Sequence, residues 1–138
     1  MPPIYLSIFA VALTAVAAVE ELRRRGRTHC QLKQLAVEGH LHFSAHDQLR
    51  LADRVAAVFP VPGAAHVRVV DLLYGSQGGS HRYVFTAQYT IGAVRSKKRV
   101  RRAATLSEPR DRAPGQCCQV RLATGTLPIV EQYRELLS

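Results

Sequence analysis

An α+β fold follows from three features of this sequence: an N-terminal transmembrane helix, then a small antiparallel sheet of three to five strands packed with two helices. Pro2 to Val19 carries no charge. The middle of the chain alternates Val, Tyr and Phe with polar residues between glycine-rich turns. On either side of that region, apolar residues recur at helical spacing. Hydrophobic residues at 47% and charged residues at 21% suit a folded chain rather than a disordered one.

The N-terminal segment sets the organisation. Eighteen residues in a helix rise about 27 Å, close to the ~30 Å of a hydrocarbon core. Glu20 with Arg24 and Glu21 with Arg25 are i,i+4 pairs in the favourable order, so the helix is expected to run past the apolar stretch and to stop at Gly26. Two other readings compete. A cleaved signal peptide would carry Lys or Arg ahead of its apolar stretch, which is lacking here, although Ala15-Val16-Ala17 has the small-residue character of a cleavage site. A buried core helix would show a polar stripe, and none is present. Arg23, Arg24, Arg25 and Arg27 flank only the C-terminal end of the segment. The positive-inside rule then puts the N-terminus outside and the domain in the cytoplasm, and the expected location is the inner (cytoplasmic) membrane, as a single-pass protein. The expected division is 1–26 as anchor and basic flank, and 27–138 as a basic cytoplasmic domain.

Within that domain, 27–34 is polar and reads as a linker or a continuation of the helix. Leu35 to Phe43 reads as a strand, with His40 and His42 on one face and Leu41 and Phe43 on the other. Ser44 is placed to cap a helix that has Asp47 in its first turn and Ala45, Leu49, Ala52, Val55, Ala56 and Phe59 on one side. Pro60, Pro62 and Gly63 end it. Strands are expected over 65–74, 81–91 and 97–106, the first two joined by a turn at Gly75 to Ser80. Tyr83, Phe85, Ala87, Tyr89 and Ile91 share one face, which predicts a meander with one buried side. A polar loop spans 108–115, Cys117 to Leu122 adds an edge strand, and a helix opens near Pro128 with Ile129, Val130, Tyr133, Leu136 and Leu137 as its apolar stripe.

The balance of 19 Lys+Arg against 10 Asp+Glu gives a net charge of +9. Such a field draws in anionic lipid, nucleic acid or an acidic protein surface. Its densest part is Arg95, Lys97, Lys98, Arg99, Arg101 and Arg102, a candidate polyanion or partner contact. The plain alternative is a solvated guard on an exposed strand edge. No aromatic residue interrupts the run, so the base-stacking platform of single-stranded nucleic-acid binders is missing and nucleic acid ranks below lipid.

Other chemistry has thinner support. His40, His42 and His46 are a remote metal candidate without a recognised spacing, so no metal and no cofactor is assigned. Cys30, Cys117 and Cys118 form no disulfide framework and suit a reduced compartment. Gly75 to Ser80 precedes a strand rather than a helix, which argues against a phosphate loop. No nucleophile elbow occurs, and Asp71, the one acid inside a confident strand, is expected to pair with Arg82 or Arg102. No catalytic residues are assigned.

The stretch Phe59-Pro60, Asp71 to Gly75, Tyr83 to Gly92 and Leu106 to Pro109 resembles a group of uncharacterised bacterial membrane-anchored domains. Their pattern aromatic-x-x-x-Tyr-Thr-x-Gly corresponds here to Phe85 to Gly92. The resemblance implies the same anchored architecture and carries over no established activity. The short single span, the small basic domain and the lack of a catalytic constellation lead to an expected role as a non-enzymatic accessory or scaffold subunit of a larger membrane complex. The alternative is a peripheral module that binds anionic lipid or RNA through Arg95 to Arg102.

Overall fold

A computed structural model describes residues 3–92, 95–109 and 118–138. Helix α1 (Pro3–Glu38) leads into β1 (His42–His46) and the short α2 (Leu51–Ala57). The strands β2 (Ala65–Gln77), β3 (Ser80–Ile91), β4 (Lys98–Pro109) and β5 (Gln119–Leu122) follow, and α3 (Ile129–Leu137) closes the chain. The five strands form one antiparallel sheet in the order β1-β2-β3-β4-β5, each pairing with its sequence neighbour. The α+β arrangement predicted from the sequence is therefore present. Helix α1 is long and apolar enough to cross a membrane, and the rest of the chain covers none of its most apolar window.

Gly26 does not stop α1. The helix continues through it for three further turns, because Leu32, Leu35 and Ala36 recur at i, i+3 and i+4 and bury one face in the domain. The strand expected from Leu35 consequently begins only at His42. The true stop is a Schellman turn, in which Leu41 N–H donates to Ala36 C=O at 2.7 Å and His40 N–H to Val37 C=O at 3.2 Å. His40 takes the left-handed conformation of that turn (φ 55°), so it shares no strand face with His42.

Ser44 likewise caps no helix. It is buried inside β1, and its hydroxyl donates to His46 C=O. The capping role falls to Asp47, whose carboxylate accepts the N–H groups of Leu51 at 2.8 Å and Ala52 at 2.9 Å, so α2 starts later and is shorter than expected. Leu49 lies outside it, while Phe59, just past its end, meets Tyr89 edge-on with ring centroids 4.9 Å apart.

The hairpin between β2 and β3 is tighter than Gly75 to Ser80 suggested. Gln77 pairs with Ser80, leaving only Gly78 (φ 56°) and Gly79 (φ 77°) as the primed turn that suits the strand twist. At the next hairpin, Gly92 has φ 116°, and a Cβ there would sit 2.3 Å from Ser96 C=O. Gly92→Ala is expected to destabilise the domain by about 1–3 kcal/mol through clash and backbone strain. Chemical denaturation would check this, with Gly63→Ala, which meets nothing within 4 Å at φ 74°, reporting the conformational cost without a clash.

The sheet buries both faces rather than one. On the first, Val69, Leu72, Tyr83, Phe85, Ala87, Tyr89, Ala104 and Leu106 pack with Leu51 and Val55 of α2. On the second, Leu73, Val84 and Ala103 meet Leu32, Leu35 and Ala36 of α1 and Tyr133 and Leu136 of α3. Strand β2 carries an extra residue between the pairs Val70↔Thr86 and Leu73↔Val84, which brings Val69 and Leu72, three positions apart, onto the same face. Asp71 sits in that bulge with φ 51°, a conformation its short polar side chain tolerates.

The expected pairing of Asp71 with Arg82 or Arg102 does not form. The bulge turns its carboxylate toward α1, where His29 Nε2 lies 3.0 Å from Oδ1. Arg82 instead donates to Leu136 C=O at the end of α3, and Arg102 to Ala123 C=O beyond β5. Both arginines thus satisfy carbonyls at element ends. Glu108, expected in a loop, belongs to β4 and takes two bonds of 2.7 Å from Arg54 of α2. Asp111, Cys117 and the rest of the expected 108–115 loop beyond Pro109 lie outside the described residues.

Candidate functional site

The basic run occupies the approach to β4 and its first half. Arg95 lies in a turn, and Lys98, Arg99, Arg101 and Arg102 pair with Ile91, Thr90, Gln88 and Ala87 of β3. Alternation along the strand splits the run between faces. Arg102 shares the parity of Val100 and Ala104, is half-buried, and spends its Nε on Ala123. Arg99 and Arg101 share the parity of Ala103 and so lie on the α1 side. Arg95, Lys97 and Lys98 are exposed at the tip.

The register adds a cation that sequence reading missed. Arg68 of β2 lies opposite Gln88, which lies opposite Arg101, so the three form one row across the sheet. Thr90 and Arg99 make the next row toward the tip. Arg68 was hidden in a Val-rich run, and its face is fixed by its pairing with Gln88 beside the buried Val69↔Ala87 pair, which turns Val69 to the first core and Arg68 to the other side. His66, Arg68, Gln88, Thr90 and Arg99 line a hollow of about 270 Å³. Among the described residues, Arg68, Arg99 and Arg101 make no ion pair with a carboxylate.

Gln88 also borders a larger groove of about 610 Å³ between α1 and the sheet. Arg24, Arg25, Thr28 and His29 form its helical wall, and Val70, Asp71 and Arg101 lie on the sheet side. Leu127, Ile129 and Gln132 close it near the start of α3. Of the four membrane-flanking candidates, Arg23 and Arg27 are exposed on α1, while Arg24 and Arg25 line the groove. Arg24 lies 3.5 Å from Glu20 and Arg25 3.1 Å from Glu21. The two groove carboxylates are therefore engaged, Glu21 by Arg25 and Asp71 by His29.

Helix and sheet climb together. Leu32, Leu35 and Ala36 share a cluster with Leu73 and Val84, His29 reaches Asp71, and Glu21, Arg24, Arg25 and Thr28 line the groove with Gln88 and Arg101. From Arg101 the strand continues three residues to Lys98, about 10 Å. From Arg24 the helix continues five residues to Val19, about 7.5 Å. Both paths lead away from the groove in the same direction, the strand to the basic tip of the β3–β4 hairpin and the helix to the end of the uncharged segment.

The remaining candidates are dispersed. His42 and His46 are exposed on β1, with His42 against the Tyr74 ring at 5.3 Å, and His40 lies in the turn before them. No group of three His, Cys, Asp or Glu side chains able to hold a metal occurs among the described residues. Cys30 is exposed on α1 and Cys118 is buried beside the sheet. Two phenols are displaced upward from their ordinary range: Tyr133 by complete burial, and Tyr83 by burial and then by the Glu108 carboxylate. Both act as neutral packing groups.

No protein-family model, curated protein or solved structure matches the chain.

Proposed function

We propose that the chain is a membrane-anchored, non-enzymatic accessory or scaffold subunit of a larger membrane complex, its domain on the cytoplasmic side. One observation carries this reading: the apolar segment and the domain are joined by a single uninterrupted helix. The helix is docked in the core through Leu32, Leu35 and Ala36, while its first five turns present bare apolar surface. A loop would let span and domain move independently, whereas a docked helix transmits position and orientation from one to the other. The alanines at 10, 12, 15, 17 and 18 permit close approach of a neighbouring helix, which supports a place among other spans. Arg23, Arg24, Arg25 and Arg27 support the orientation.

Purification of full-length protein in a mild detergent is expected to recover a stoichiometric membrane partner. Recovery of the chain alone, from membranes where it is natively expressed, contradicts the subunit reading.

A second reading, a module for anionic lipid, is supported by the direction in which the hairpin tip extends. Arg95, Lys97, Lys98 and Arg99 are exposed at the end of the sheet toward which α1 runs to its uncharged segment. That placement favours lipid over RNA for the same charges.

A further inference from the structure

We propose that the groove between α1 and the sheet is a binding site for one anionic phospholipid, its phosphate held at Arg101, its glycerol resting on Leu127 and Ile129 and its acyl chains leaving along α1 toward the uncharged segment. The inference rests on the membrane-anchored reading and concerns a site separate from the hairpin tip.

Three observations converge on that occupant. The first is position. The helical wall is formed by residues 21, 24, 25, 28 and 29, the i, i+3, i+4 face of α1. Carried upward, that face becomes Ala18, Ala17 and Thr14 of the uncharged segment. A molecule in the groove therefore has a path along α1, past Glu21 and Arg25, to the small residues Ala18, Ala17 and Thr14 of the uncharged segment, which suits acyl chains.

The second is charge. The carboxylates in the lining, Glu21 and Asp71, are each engaged by a neighbouring base at 3.1 and 3.0 Å. Arg101 is the lining arginine that has no carboxylate among the described residues, and Arg68, in the same cross-strand row, adds to its field. A planar guanidinium free to donate two parallel bonds is suited to a phosphodiester.

The third is composition and size. About 610 Å³ is in the range of small-molecule sites, and the lining combines Val70, Leu127 and Ile129 with polar Thr28, Gln88 and Gln132. A phospholipid's interfacial portion is likewise half apolar and half polar. An acidic protein segment would need polar neighbours where these aliphatic side chains lie.

The test uses full-length protein in a neutral maltoside detergent, titrated with dihexanoyl phosphatidylglycerol below its micelle concentration, with the thermal midpoint as readout. A saturable rise is expected, with neither dihexanoyl phosphatidylcholine nor inorganic phosphate reproducing it. Arg101→Gln, at an exposed position outside the core, is expected to raise the half-saturating concentration about tenfold or more, the loss of a charge-assisted contact. Lys97→Ser with Lys98→Ser at the tip should leave it within about twofold. An equal response to phosphatidylcholine, an equal response to inorganic phosphate, or an Arg101→Gln protein that titrates like wild type overturns the proposal. So does a lipid-free preparation in which a tightly held acidic protein shields Arg101 from arginine-specific reagents. Wild type that stays dissolved without detergent removes the anchored reading itself, whereas a detergent-requiring protein that ignores phosphatidylglycerol removes the groove site alone.

Discussion

Tyr133→Ala is expected to cost about 3–5 kcal/mol, enough to leave a domain of ordinary stability close to unfolding. The ring is completely buried between α3 and the sheet. Its hydroxyl donates to Asp71 C=O at 2.7 Å and lies 2.9 Å from Thr86 Oγ1. It therefore ties α3 both to the centre of β3 and to the bulge that turns Asp71 toward α1. Tyr133→Phe keeps the ring and removes those bonds, leaving a buried carbonyl short of a donor, for about 1–3 kcal/mol. Urea unfolding followed by far-UV circular dichroism would separate the two: both lower the midpoint, alanine by more, with an unchanged slope. Two variants that match each other and lie within about 1 kcal/mol of wild type would contradict this account.

The same phenol has a pH signature. Its folded value is raised by burial, so the folded protein keeps the proton after the unfolded chain has lost it near 10.0. The unfolded state then binds fewer protons, and stability falls with rising pH above that value, by about 1.4 kcal/mol per unit for one group. Below it the contribution is fully present. Tyr133→Phe should remove this part of the alkaline loss.

Leu32→Ala is the second large effect, and it acts on the junction. Leu32 is 0% exposed and lies in the cluster that fastens α1 to the sheet and α3. Deleting its side chain costs about 2–5 kcal/mol of packing. Besides Leu35 and Ala36, this end of the helix is held by His29 and Lys33, each 5.8 Å from the Phe43 ring, and by the His29–Asp71 contact, whose histidine is 39% exposed and screened accordingly. The expected result is local release of the stem rather than loss of the sheet. Trypsin cleavage in the segment from Arg23 to Lys33 should accelerate about 30-fold or more, since the open population rises by the exponential of that energy. Leu22→Ala, on the exposed side of the same helix, should leave the rate unchanged. Equal rates for Leu32→Ala and wild type would show that the stem is held elsewhere.

Local pattern was enough for the β3–β4 region. Tyr83 to Ile91 alternate because one face meets α2, and that alternation is visible without coordinates. The opposite face was misread as solvated, because Val84 and Thr86 are few and polar Arg82, Gln88 and Thr90 surround them. What covers that face is α1, more than forty residues earlier in the chain, and α3, more than forty later. Gly26 was a reasonable stop on propensity, at about 1 kcal/mol against helix. Burial of Leu32, Leu35 and Ala36 outweighs it, and propensity cannot register a partner that distant.

Sequence alone determined the uncharged N-terminal segment, its one-sided arginines, the count of basic residues and the α+β class, since each is a property of neighbouring residues along the chain. Tertiary structure decided where those charges meet. Arg68 joins Arg101 only through strand register, Asp71 leaves both expected arginines because a bulge turns it to His29, and the groove exists only because α1 stays helical past Gly26. The physical reason is range: periodicity and capping are set within about four residues, while register, bulges and helix docking depend on surfaces brought together from opposite ends of the chain.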